Sequence, residues 1–134
     1  MDYTHKEKLS LLSEMIELAK SDNELKNSEL AFISLVAASL GITKDEVVNL
    51  IDNPVKKVIL NSEFERIVQL HRLILVMNID EQTNLKEIIA IKNVGLRMGL
   101  PPQAIDEVFQ EMMKHKDRII PTNVLMQIFK KFHN

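Results

Sequence analysis

Two pairs of carboxylates carry the clearest chemical signal in this sequence. Asp22 and Glu29 stand seven residues apart, and Asp80 and Glu87 repeat that spacing 58 residues later. In each pair the Asp closes one helical pattern or opens the turn after it, and the Glu falls in the first turn of the next helix. A step of this length across a tight turn can bring two carboxylates together, and Glu24 and Glu81 add acid nearby. Clustered carboxylate oxygens suit hard cations, so a divalent cation such as Ca2+ or Mg2+ is the cofactor this pattern would hold, with Asp22, Glu29, Asp80 and Glu87 as its ligands. A plainer reading stands beside it and carries more weight. Glu in a first helical turn is stabilised by the positive end of the helix dipole, and Asp in a turn accepts from backbone N–H groups. Two copies of one turn would keep these residues for folding alone. The pattern is not an EF-hand: the twelfth residue counted from Asp22 is Ile33 rather than Glu, and no central glycine is present.

The remaining residue types narrow the chemistry further. Cysteine is absent, which removes disulfides, thiolate nucleophiles and Cys-based zinc sites. His5, His71, His115 and His133 show no i,i+4 pairing that would hold a metal. Gly41, Gly95 and Gly99 are the only glycines and none precedes Lys-Ser or Lys-Thr, so no phosphate-cradling loop is encoded. No GxSxG nucleophile signature occurs. Gly95 and Gly99 are spaced GxxxG, but Arg97 lies between them and the segment is not a membrane span. Gly99 is therefore read as a helix C-cap and Gly95 as a point of close helix packing. With no nucleophile, paired histidine or phosphate loop beside the carboxylates, the chain is read as a non-enzyme. A metal-dependent hydrolase using the acidic cluster is the alternative, and a purely structural helical domain with no ligand is a third reading.

Composition sets the frame for these residues. The chain has 134 residues, the size of one domain spanning 1–134, with 46% apolar and 27% charged side chains. Aromatic residues are only 4%, so the core must be built from Leu, Ile, Val, Ala and Met, which suit interdigitating helices. Residues 1–50 carry nine acids and five bases, residues 51–134 ten acids and twelve bases, and the net charge is −2. That asymmetry is too small for a nucleic-acid groove, and the aromatic platforms of single-strand readers are missing. The start Met1-Asp2-Tyr3-Thr4-His5 is polar rather than signal-like, and the longest uncharged stretch, Leu30 to Thr43, is too short and interrupted to span a bilayer. The expected location is the cytoplasm.

The elements that position the carboxylates follow from an internal repeat. With Leu12 placed over Leu70, Ile16 falls on Ile74, Asp22 on Asp80, Glu29 on Glu87 and Gly41 on Gly99 without a gap. Met15 with Leu73, Ile33 with Ile91, Val36 with Val94, Leu40 with Met98 and Val47 with Ile105 keep the apolar class. Each unit, about 9–50 and about 67–108, reads as helix, acidic turn, helix, glycine, helix. Thr4 with Glu7, Thr43 with Glu46, Ser62 with Glu65 and Asn84 with Glu87 mark helix starts. The stripe Leu9, Leu12, Ile16, Ala19 and the stripe Leu30, Ile33, Ala37, Leu40 follow the helical period. Asn53-Pro54 ends the third helix, and Pro101-Pro102 opens the third helix of the second unit. The run Leu73-Ile74-Leu75-Val76-Met77 could pass for a strand, but the repeat lays it over Met15 to Ala19, which are helical. A last helix, about 121–132, carries Leu125, Ile128 and Phe132 outside the repeat. The fold class is all-α, a single bundle of about seven helices made of two similar units.

The segment Met15-Ile16-Glu17-Leu18-Ala19-Lys20-Ser21-Asp22, then Glu29 and Leu40-Gly41-Ile42, resembles the TerB-like (tellurite-resistance) family, which includes the N-terminal domain of membrane-anchored DnaJ-like co-chaperones. The resemblance covers about residues 9–130. It implies an all-α helical bundle in which Asp22, Glu29, Asp80 and Glu87 are the family's acidic positions. It also implies divalent-cation binding and a place in stress-response assemblies near membranes. The glycine that follows each Asp in that family is replaced here by Asn23 and Glu81. Asn tolerates the left-handed conformation such a turn needs, and Glu does so less readily. The expected function is a non-catalytic interaction or scaffold module in a stress-response system. Its protein partner is unidentified by sequence, it binds no nucleic acid, and a homo-oligomer stays open.

Overall fold

A computed structural model describes residues 3–21, 24–79 and 85–132. They form seven helices: α1 His5–Ala19, α2 Asn27–Ser39, α3 Lys44–Asp52, α4 Glu63–Met77, α5 Leu85–Arg97, α6 Pro102–Met113 and α7 Thr122–Lys131. No strand occurs among the described residues, and no described helix is long and apolar enough to cross a membrane. The apolar run from Leu73 to Met77 is the last part of α4, as its helical neighbours require.

Local chemistry explains where the helices begin. The first N–H groups of a helix have no partner within it. Glu stands third in α1, α2, α3, α4 and α5, as Glu7, Glu29, Glu46, Glu65 and Glu87. At α1 the exchange is reciprocal: the Glu7 carboxylate accepts from the Thr4 N–H at 2.8 Å, and the Thr4 hydroxyl accepts from the Glu7 N–H at 3.1 Å. Thr43 and Glu46 make the same pair of bonds, both 3.2 Å. Ser62 accepts from the Glu65 N–H at 3.1 Å. The other two starts use proline, Pro101 and Pro121 as N-caps with Pro102 in the first turn of α6, where a missing N–H costs nothing.

The second helix of each unit ends alike. Gly41 and Gly99 take φ +78° and +77°, a left-handed conformation that carries little penalty only without a Cβ. Around Gly41 the Ile42 N–H bonds the Ala37 carbonyl and the Gly41 N–H bonds the Ala38 carbonyl. Around Gly99 the Leu100 N–H bonds Gly95 and the Gly99 N–H bonds Leu96. Both are Schellman closures, with a buried apolar residue, Ile42 or Leu100, immediately after the glycine.

The chain divides into two compact units, Met1–Leu60 and Asn61–Asn134. In the first, α1 packs on α2 and α3, and α2 packs on α3. In the second, α4 packs on α5, α5 on α6 and α6 on α7. Helices α1 and α4 each have 15 residues and α2 and α5 each have 13, and α4, α5 and α6 start 58 residues after α1, α2 and α3. Leu12, Ile16 and Ile33 are buried, as are Leu70, Ile74, Ile91 and Met98. Leu40 was expected in this set and is half-buried instead. It is the C-cap of α2, beyond the last full turn, while the longer, unbranched Met98 at the same register is covered. In α7 the buried residues are Leu125, Ile128 and Phe129. The expected Phe132 is the C-cap, outside the helical face, and is half-buried.

Gly95 is a point of close packing within the second unit. A Cβ built there would lie 2.6 Å from Ile105 Cδ1 and 3.6 Å from Leu70 Cδ1. At the corresponding register the first unit has Ala37 and Val47, so one methyl group has changed sides between the two helices. Gly95→Ala gains about 1 kcal/mol of helix propensity against about 1–3 kcal/mol of overpacking, and Ile105→Val alone costs about 0.5–1.5 kcal/mol. We expect Gly95→Ala with Ile105→Val to be more stable than the sum of the single changes, measured by urea unfolding in a double-mutant cycle. Strict additivity would show that the two positions do not compete for space. In the first unit Ile33 is 0% exposed, so Ile33→Ala should cost about 2–5 kcal/mol in the same assay. A loss near 0.5 kcal/mol, the scatter of surface changes, would contradict the packing.

Candidate functional site

Of the four acidic residues that the sequence marks as cation ligands, Glu29 and Glu87 are described and Asp22 and Asp80 lie outside the described residues. Glu81, Asn23 and Asn84 lie outside them as well, and Glu24 is exposed. Glu29 and Glu87 are the third residues of α2 and α5, and their exposure is 5% and 7%. Glu7, Glu46 and Glu65, at the same position of their helices, are half-buried. The two nominated residues therefore share a helical position with ordinary caps but differ from them in burial.

Burial makes the bonds of these carboxylates more consequential. A charged group removed from water needs hydrogen-bond partners or opposite charge. Glu29 Oε1 accepts from the Lys26 N–H at 3.0 Å. Lys26, the N-cap, has only a donor at its side-chain tip, so the hydroxyl half of a capping box is missing and the start of α2 relies on the Glu29 side. Among the described residues no buried side-chain nitrogen or oxygen lacks a hydrogen-bond partner. The described residues contain no group of three or more His, Asp or Glu placed to hold a metal. At the exposed start of α3, the Thr43 N–H bond holds the Glu46 carboxyl below its ordinary range, aided by the Thr43 hydroxyl and by His5.

A second polar set escaped the sequence reading. Ser10 and Ser13 are buried on α1. Ser13 accepts from the Val55 N–H at 3.2 Å and Ser10 from the Val58 N–H at 2.8 Å. Glu17 pairs with Lys57, and Lys20 donates to the Ile51 carbonyl at 3.2 Å. The Ser10, Ser13 and Glu17 contacts tie the non-helical segment after α3 along α1, and Lys20 holds the last turn of α3. In the second unit His71 and Asn78 occupy the registers of Ser13 and Lys20. His71 Nε2 donates to the Ile120 carbonyl at 3.1 Å and Asn78 to the Arg118 carbonyl at 3.2 Å, which ties the α6–α7 connection to α4. That connection contains Arg118 at φ +62°. The signal for this set was polar residues inside an apolar stripe. It names no partner, because the partners are backbone groups about 40–50 residues away.

The outward faces of α2 and α5 differ. An open groove of about 350 Å3 on the first unit is lined by Asn27, Leu30, Ala31, Ser34, Ala38 and Ile42, with Lys44 at its edge. At the registers of Asn27, Ala31 and Ala38, α5 carries the exposed Leu85, Ile89 and Leu96. A groove of about 430 Å3 between α6 and α7 is floored by Val124 and Ile128 and edged by Glu107, Glu111, Lys130 and Lys131.

Two measurements test this account. Glutamine can keep the bond from the Lys26 N–H, so Glu29→Gln should change stability by less than about 1 kcal/mol, whereas Glu29→Ala should cost about 0.5–2 kcal/mol or more by losing the cap. Equal losses in chemical unfolding would show that the negative charge itself is required. The second concerns pH. Burial pushes the His71 imidazole below its ordinary range; the Ile120 hydrogen bond opposes that shift and the charge of Arg72 adds to it. A histidine harder to protonate when folded gives stability that is fully present above about pH 6.5 and is lost as pH falls toward the folded value. The melting temperature of the wild type should therefore drop more between pH 7.5 and pH 5.5 than that of His71→Gln, whose amide can still donate to Ile120. Parallel curves would rule out His71 as a source of acid sensitivity.

Comparison of the chain with protein-family models, with curated proteins and with solved structures finds no match.

Proposed function

We propose that this chain is a non-catalytic interaction or scaffold module of the TerB-like kind, built by duplication of one three-helix unit and acting in a stress-response, tellurite-resistance-like system. The observation that carries the reading is the equivalence of Glu29 and Glu87. Both are third in their helix, both are buried, and 58 residues separate them. The Schellman closures at Gly41 and Gly99 support the duplication at the other end of the same helices. In this reading Asp22 and Glu29, with Asp80 and Glu87, form acidic turns that respond to a divalent cation. A purely structural role for the turns is favoured by the bond from the Lys26 N–H to Glu29, a bond that a cap makes without any ion.

Calorimetric titration with Ca2+, Mg2+ and Mn2+ at millimolar levels, paired with thermal melting, separates the two. A ligand that binds only the folded state raises the melting temperature. The cation reading expects such a rise in the wild type and its loss in Asp22→Asn and Asp80→Asn. Without cation those variants should melt at or slightly above the wild type, because like charges held close repel and each change removes one. No heat and no thermal shift would end the cation reading and leave a scaffold whose acids serve folding. Binding that survives both substitutions would move the site elsewhere. Hydrolysis of phosphate or carboxylate esters with Mg2+ or Mn2+, abolished by Glu29→Gln, would replace the module by an enzyme.

A further inference from the structure

We draw no further inference here: the strongest candidate, the exposed apolar face of α5 formed by Leu85, Ile89 and Leu96, carries nothing because nothing in the structure shows what covers it.

Discussion

Starting a helix is the recurrent physical problem in this chain, and most of its polar chemistry is spent on it. None of the seven helices exceeds 15 residues, a length at which an isolated helix is marginal in water. Each start leaves N–H groups without helical partners. Five starts place a Glu third in the helix, and at α1, α2 and α3 its carboxylate accepts from the N-cap N–H, while the other two starts use proline. At α1 and α3 the carboxylate is partly in water and the bond contributes modestly. At α2 the carboxylate that bonds the Lys26 N–H is buried, so the low local dielectric strengthens that bond and raises the cost of losing it. Glu29, one of the carboxylates that could hold a cation, is thus also the residue that caps the start of α2.

The two units agree inside and differ outside. Interior positions hold aliphatic residues of matching class because interiors are close-packed and a single methylene is felt. The exchange of Ala37 and Val47 for Gly95 and Ile105 shows this constraint acting on a pair: side-chain volume has moved across a helix contact. No comparable constraint acts on the outward faces. Ala31 and Ala38 leave a groove on α2, and at the same registers Ile89 and Leu96 make a ridge on α5.

The connections after the third helix of each unit meet one requirement by different means. An irregular segment laid against an apolar helix must have its backbone groups satisfied. In the first unit two serines accept backbone N–H groups of Val55 and Val58. In the second a histidine and an asparagine donate to carbonyls. The choice of histidine adds a titratable group to the packing of α7's approach, which none of the first unit's equivalents does on the acid side of neutrality.

The all-helical class, the number of helices, the third-position glutamates and the left-handed glycines were legible in the sequence, because period, capping and backbone conformation are local and leave local marks. Ile33 and Ile91 could be placed in the core from spacing alone. Leu40 and Phe132 could not be placed correctly, because whether a helix-end side chain is covered depends on what packs beyond that end. Tertiary structure alone decided that Glu29 and Glu87 are buried while Glu7, Glu46 and Glu65 are half-buried, since a Glu third in its helix is covered only by what lies against it. It also decided the partners of Ser10, Ser13, His71 and Asn78 and the contact of Gly95 with Ile105. Those contacts join elements far apart in the chain, and a residue's type states what bonds it can make but not which distant group will arrive to make them.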